Sequence, residues 1–309
     1  MNFSLSATTS WWAIMRDHAK AHPLMTAGLF GSLLLVLALF FQSMALLESP
    51  IQRQFFEYAA WGGLACFVGT SIGAIPALLL KAIPQKMEDA MLGFAAGMML
   101  SASAFSLLLP GIEAGIDITG SKLGGSGLVL LGMAVGVALM MGLDYFTPHQ
   151  HMQTGPCGPG NERCGKAWLF VFAIALHNLP EGMAVGVGFA QGDVSIGLPL
   201  TTAIALQDIP EGLAVALTLR AVGFTPLFSV LVASATGLLE PLGALFGVGL
   251  AGGFMLAYPI GLGLAGGAML FVVSHEVIPE THRHGHQMLA TQGLMVGFAL
   301  MMILDTTLG

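Results

Sequence analysis

The sequence predicts an all-α polytopic membrane protein of about nine transmembrane helices, and three observations carry that expectation. Only 9% of its 309 residues are charged while 55% are hydrophobic; soluble domains carry roughly 25% charged residues, so a globular surface could not be covered with polar groups. Apolar segments of about 20 residues, the length that crosses a ~30 Å hydrocarbon core, recur along the chain. The 42 glycines suit helices that pack closely in lipid, where van der Waals contact replaces the hydrophobic effect.

Nine segments fit: 28–47, 57–80, 90–115, 123–146, 166–191, 194–220, 225–250, 255–280 and 288–308. The first reads as a retained helix. Ser43-Met44-Ala45 loosely resembles a signal-peptide cleavage site, but the apolar stretch is too long for a typical signal core. Residues 1–27 then form a cytoplasmic N-terminal segment, and 28–308 a single transmembrane domain. The net charge of −7 argues against nucleic acid as a partner. Cys66, Cys157 and Cys164 make no disulfide framework.

Orientation follows from ten basic residues. With the N-terminus in the cytoplasm, Arg16, Lys20, Lys81, Lys86, Arg163, Lys166, Arg220 and Arg283 all fall inside, and only Arg53 and Lys122 face outward. That is a strong positive-inside asymmetry, and it puts the C-terminus outside. Two repeats fit the alternation. GFAAGMML at 93–100 matches GLAGGAML at 263–270 at five of eight positions, with Pro110 and Pro279 following at similar distances. These lie on the third and eighth spans, which run oppositely, as expected of inverted three-helix repeats (helices 2–4 and 7–9) around a central pair (helices 5–6), plus one extra N-terminal helix. HNLPEGMAV at 177–185 matches QDIPEGLAV at 207–215 on the antiparallel central pair.

Those central motifs carry the chemistry. His177 and Glu181 are four residues apart and share a helix face, as do Gln207 and Glu211. Asn178 and Asp208 lie one residue on, rotated about 100°. Both motifs sit near the midpoints of their spans, with Glu240 near the middle of the seventh and Met99 mid-depth in the third. The shared face is wide enough for two adjacent ions, with Glu181 and Glu211 placed to bridge them. Pro180 and Pro210 each remove a backbone donor, freeing the carbonyls of Leu176 and Leu206. Glu181, Asp208, Glu211 and Glu240 would put up to four negative charges at the midplane, where each costs ~2.5–3.5 kcal/mol. All ten Lys and Arg residues sit at span ends or in loops, so divalent metal cations, protons or His177 must balance the charge. His275 and Glu276, near the inner end of the eighth span, are either interfacial residues or part of the ion path.

HNLPEG and QDIPEG on consecutive mid-chain helices resemble the signature of the ZIP (Zrt-, Irt-like) metal transporters, and the chain resembles a bacterial member over 57–308. The resemblance implies an eight-helix core, a binuclear site, and transport of zinc, and also cadmium, across the inner membrane into the cytoplasm by an elevator-like displacement. Matched by position, Met99, His177, Glu181, Gln207 and Glu211 would form one site. Asn178, Asp208 and Glu240 would form the second with the bridging glutamates. The second motif opens with Gln and Asp where many relatives have His, which leaves metal preference open: Fe²⁺ and Mn²⁺ also suit its oxygen ligands. His275, Glu276 and Glu280 would line the inner exit. The loop 147–165, with His149, His151, Cys157 and Cys164, and the run His282, His284, His286 read as ligands or as polar linkers. No organic cofactor is expected; membrane lipid and a second copy of the chain are possible partners. A selective metal channel and an intramembrane metalloenzyme are the alternatives; the chain lacks HExxH, so it is expected not to be an enzyme.

Overall fold

The computed structural model describes residues 11–44, 49–147, 149–151, 155–157, 166–192, 194–252 and 255–308. A short helix, α1 (Trp11–Ala21), precedes the apolar α2 (Pro23–Met44), the extra N-terminal helix. Then come α3 (Pro50–Ala74), running through a 3-10 turn to Leu78; α4 (Gln85–Ser101) and α5 (Leu109–Thr119), joined by a π segment; and α6 (Lys122–Phe146). A two-stranded antiparallel ribbon, β1 (His149–His151) and β2 (Gly155–Cys157), follows; Cys164 lies outside the described residues. The chain continues through α7 (Lys166–Gly188), α8 (Val194–Ala221), α9 (Pro226–Thr236) and α10 (Leu239–Ala251). It ends with α11 (Ala257–Val272), a second π segment, the single turn α12 (Ile278–Thr281) and α13 (Gln287–Leu308). Among the described residues, eight helical spans are long and apolar enough to cross a membrane, from Pro50–Leu78 to Gln287–Leu308.

Two expected spans are interrupted by π segments. The third is α4–π–α5 and the eighth α11–π–α12, with π segments at Ala102–Leu108 and Val273–Val277. Proline explains both. Pro110 and Pro279 cannot donate to the carbonyls of Ser106 and His275, and their rings crowd those oxygens, so the helix widens just before each proline. Side-chain hydroxyls bond back to the helix nearby: Ser103 donates to the Met99 carbonyl at 2.7 Å and Ser274 to that of Leu270 at 2.6 Å.

Four tight parallel pairs build the rest: α4 with α13, α6 with α11, α7 with α10, and α3 with α8. Glycines four residues apart set each contact. A Cβ on Gly93 or Gly97 would strike the carbonyl of Ala290 or Leu294; on Gly132 or Gly136, that of Ile260 or Leu264; on Gly182 or Gly186, that of Glu240 or Ala244; on Gly69 or Gly73, that of Ala205 or Ile209. Such spacing brings backbones together in lipid. Exchanging spans two to four with seven to nine, and five with six, maps this pairing onto itself, as an inverted repeat requires. We expect Gly297→Ala, whose new methyl would meet the Phe94 carbonyl, to cost about 1–3 kcal/mol through overpacking. Gly127→Ala, with nothing within 4 Å, should gain helix propensity instead. Thermal unfolding of both variants in detergent checks the pair.

The extra helix α2 lies across a seam. Its Leu29 packs in one apolar cluster with Leu139 of α6, Met183 of α7, Leu250 of α10 and Leu264 of α11. At one end of the bundle, α1 docks on α6 through His18, whose ring nitrogen lies 3.1 Å from the Tyr145 carbonyl, and His22, which contacts the Tyr145 hydroxyl.

Candidate metal centre

Both central motifs lie inside the helices of the central pair. α7 carries Pro180 and α8 carries Pro199 and Pro210 inside their helices. His177, Asn178, Glu181, Gln207, Asp208, Glu211 and Glu240 are all at most 4% exposed. Carboxylate oxygens of Glu181, Asp208 and Glu211 lie within 4.8 Å of one another. A second group, again within 4.8 Å, joins Asp208 to Glu240 and to the sulfur of Cys66. Asp208 therefore links the two groups into one band drawn from α3, α7, α8 and α10.

The broken seventh span explains how Glu240 arrives. α9 ends at Thr236, and α10 restarts at Leu239 with Glu240 in its first turn, where free N–H groups and the helix dipole favour a carboxylate. Gly237 makes the break close-fitting: a Cβ there would lie 3.0 Å from the Thr70 side chain. The Thr70 hydroxyl in turn donates to Glu240 Oε1 at 2.7 Å, and Gln207 Nε2 donates to Glu181 Oε1. Both donors are neutral. Among the described residues, both oxygens of Asp208 and of Glu211, Oε2 of Glu181 and Oε2 of Glu240 have no hydrogen-bond partner. Buried carboxylate oxygens without donors are costly unless a cation reaches them. Six such oxygens converge here.

The remaining expected residues fall around this band. Met99 is fully buried in the apolar cluster that includes Ala184, Val185, Ala203 and Ile204 of α7 and α8. His275 and Glu276 lie on the second π segment and group with Asp144 rather than with the central band. A cavity nevertheless connects them, since His177, Glu211, Glu276 and Glu280 share its wall. Phe170 and Glu280 also line a wider neighbouring cavity with Lys81, Glu88, Arg283 and His284. These two cavities lie between the His177 and Glu211 side of the band and the end of the bundle that carries Lys81 and Arg283. There His284 and His286 place Nδ1 atoms 3.1 and 2.8 Å from the two oxygens of Asp89, so the histidine run folds back onto a buried carboxylate at the start of α4.

Three polar residues of these clusters were not singled out from sequence: Cys66, Thr70 and Asp89. Cys66 and Thr70 did leave a trace. They are four residues apart, on one face, near the middle of an otherwise apolar span.

A polytopic helical bundle with unbalanced carboxylates buried between its central helices defines a class, the membrane cation transporter. Comparison with known proteins narrows it: residues 147–305 match the family model described as ZIP Zinc transporter. The zinc transporter ZIPB of Bordetella bronchiseptica is 60% identical over 94% of this chain and 94% of its own length. The zinc transporter GufA of Myxococcus xanthus is 43% identical, and the human zinc transporter ZIP11 30% identical, each over 78% of this chain and 94% of the relative. The chain belongs to the ZIP family; it is a transporter rather than an enzyme.

Proposed function

We propose that this protein carries zinc, and also cadmium, into the cytoplasm through a binuclear site formed by the buried band. The observation that carries the reading is the set of six unpartnered oxygens on Glu181, Asp208, Glu211 and Glu240. Two divalent ions would neutralise the four carboxylates. His177, Gln207 and Met99 would complete one position with the bridging glutamates. Asn178, Asp208 and Glu240 would complete the other. From there ions leave past Glu276 and His275 toward Glu280, along the cavities that reach the Lys- and Arg-rich end.

An elevator-like displacement suits the packing. α3, α7, α8 and α10 hold the whole carboxylate band and form two of the tight pairs, while α4, α6, α11 and α13 form the other two. Met99, on α4, alone among the mid-span ligands belongs to the second group, so its contact with an ion would be made and broken as one group slides past the other. Lipid chains cover the exposed Leu130, Leu131, Val296 and Ile303 on the outer faces.

Purified protein in liposomes tests the function. Zinc uptake should saturate with external metal, and an uptake that rises linearly without saturation would favour an open pore. Orientation has its own test. A cysteine in place of the exposed Gln287, in a background without Cys157 and Cys164, should react with an impermeant reagent only after the cytoplasmic face is opened. Gln287 is preferable to Gly285, whose φ of +85° strains any L side chain. Labelling of intact cells would reverse the topology.

A further inference from the structure

We propose that Cys66 is a metal ligand, its sulfur joining Asp208 and Glu240 around the second ion and biasing that position toward soft cations such as cadmium. The inference rests on the binuclear reading above and changes it in one respect. By the family pattern the second position is all oxygen; in this chain α3 adds a sulfur.

Cys66 is fully buried and in no disulfide. Its Sγ lies within 4.8 Å of a carboxylate oxygen of Asp208 and one of Glu240, which are themselves equally close. Among the described residues Asp208 has no hydrogen-bond partner on either oxygen and Glu240 has none on Oε2, although the two residues are 1% and 0% exposed. The thiol's own partner is the Thr201 carbonyl at 3.9 Å, a weak contact that leaves the sulfur lone pairs available. Metal–sulfur and metal–oxygen bonds of about 2.3 and 2.1 Å put tetrahedral ligand atoms about 3.6 Å apart. Side-chain rotation of roughly an ångström therefore closes the three groups on an ion.

A buried cysteine most often serves as a small apolar side chain, and in a Gly/Ala-rich helix that role would fit too. Packing alone, however, gives no reason for the sulfur to stand among uncompensated carboxylates. On ligation the S–H bond breaks, the electron pair goes to the metal, and the proton is released to solvent. A thiolate beside two carboxylates favours the softer of two otherwise similar ions.

The test uses the full-length protein with Cys157→Ser and Cys164→Ser, so that Cys66 is the remaining thiol. Titration with cadmium should produce the ultraviolet thiolate-to-cadmium charge-transfer band, and Cys66→Ser should remove it. In liposomes the ratio of cadmium to zinc uptake should fall in both Cys66→Ser and Cys66→Ala, because the sulfur favours the softer ion. No band in the parent protein, or an unchanged uptake ratio in both variants, overturns the assignment. The binuclear reading fails differently, by uptake of either metal surviving Glu211→Ala.

Discussion

Glu181→Ala or Glu211→Ala abolishes zinc uptake while leaving the folded protein intact. The expectation combines position with the lack of competing partners. Both glutamates come within 4.8 Å of Asp208 and of each other, and three of their four oxygens have no donor. Gln207 takes only Oε1 of Glu181. Removing either carboxylate deletes a ligand from both proposed ions, and even an outer-shell partner is worth about 10–100-fold in metal affinity. Stability should change little, because what the truncation loses in packing is offset by removing one member of a crowded cluster of buried carboxylates. Radioactive zinc uptake at matched expression, with thermal unfolding in parallel, reads both effects. Near-normal uptake in either variant removes the bridging role.

His177→Ala should be more damaging to zinc transport than Asn178→Ala. His177 brings the only imidazole among the proposed ligands of the band, and zinc binds nitrogen at about 2.0–2.1 Å with a strong preference over amide oxygen. Asn178 is as deeply buried, but its carboxamide is a neutral, hard ligand among four carboxylates. Its loss should lower affinity or shift the metal ranking without ending transport. Flux and bound-metal stoichiometry, measured together on the two variants, decide the order. If His177→Ala keeps both ions and full flux while Asn178→Ala is dead, the two positions have been ranked the wrong way round.

The spans were legible because hydropathy and length are bulk properties, and the inverted repeat because Gly93, Gly97, Gly263 and Gly267 recur in register before a proline. The central motifs were legible because Pro-Glu-Gly, twice, cannot end a helix at the middle of an apolar run. What escaped depended on tertiary geometry. Hydropathy reads 225–250 as one helix, although Gly237 breaks it and turns Glu240 into the first turn of α10. Pro110 and Pro279 marked the repeat, but the π segments they impose on Ala102–Leu108 and Val273–Val277 depend on how the freed carbonyls are accommodated. α1 lies in a stretch read only as an N-terminal segment, where a short helix acquires its support from Tyr145 of α6. Asp89 was passed over in the sequence; it is buried where the turn before α13 returns His284 and His286 to it. Cys66 and Thr70 look like ordinary small residues until α3 is packed against α8 and α10.

The most direct test of the binuclear reading is anomalous scattering from crystals of the protein soaked in zinc or cadmium. The account predicts two peaks within the band between α3, α7, α8 and α10, one beside His177 and one beside Asp208 and Glu240, with Glu181 and Glu211 between them. Peaks confined to the histidine-bearing segments and the Asp144–His275–Glu276 group, with the band empty at saturating metal, would contradict it.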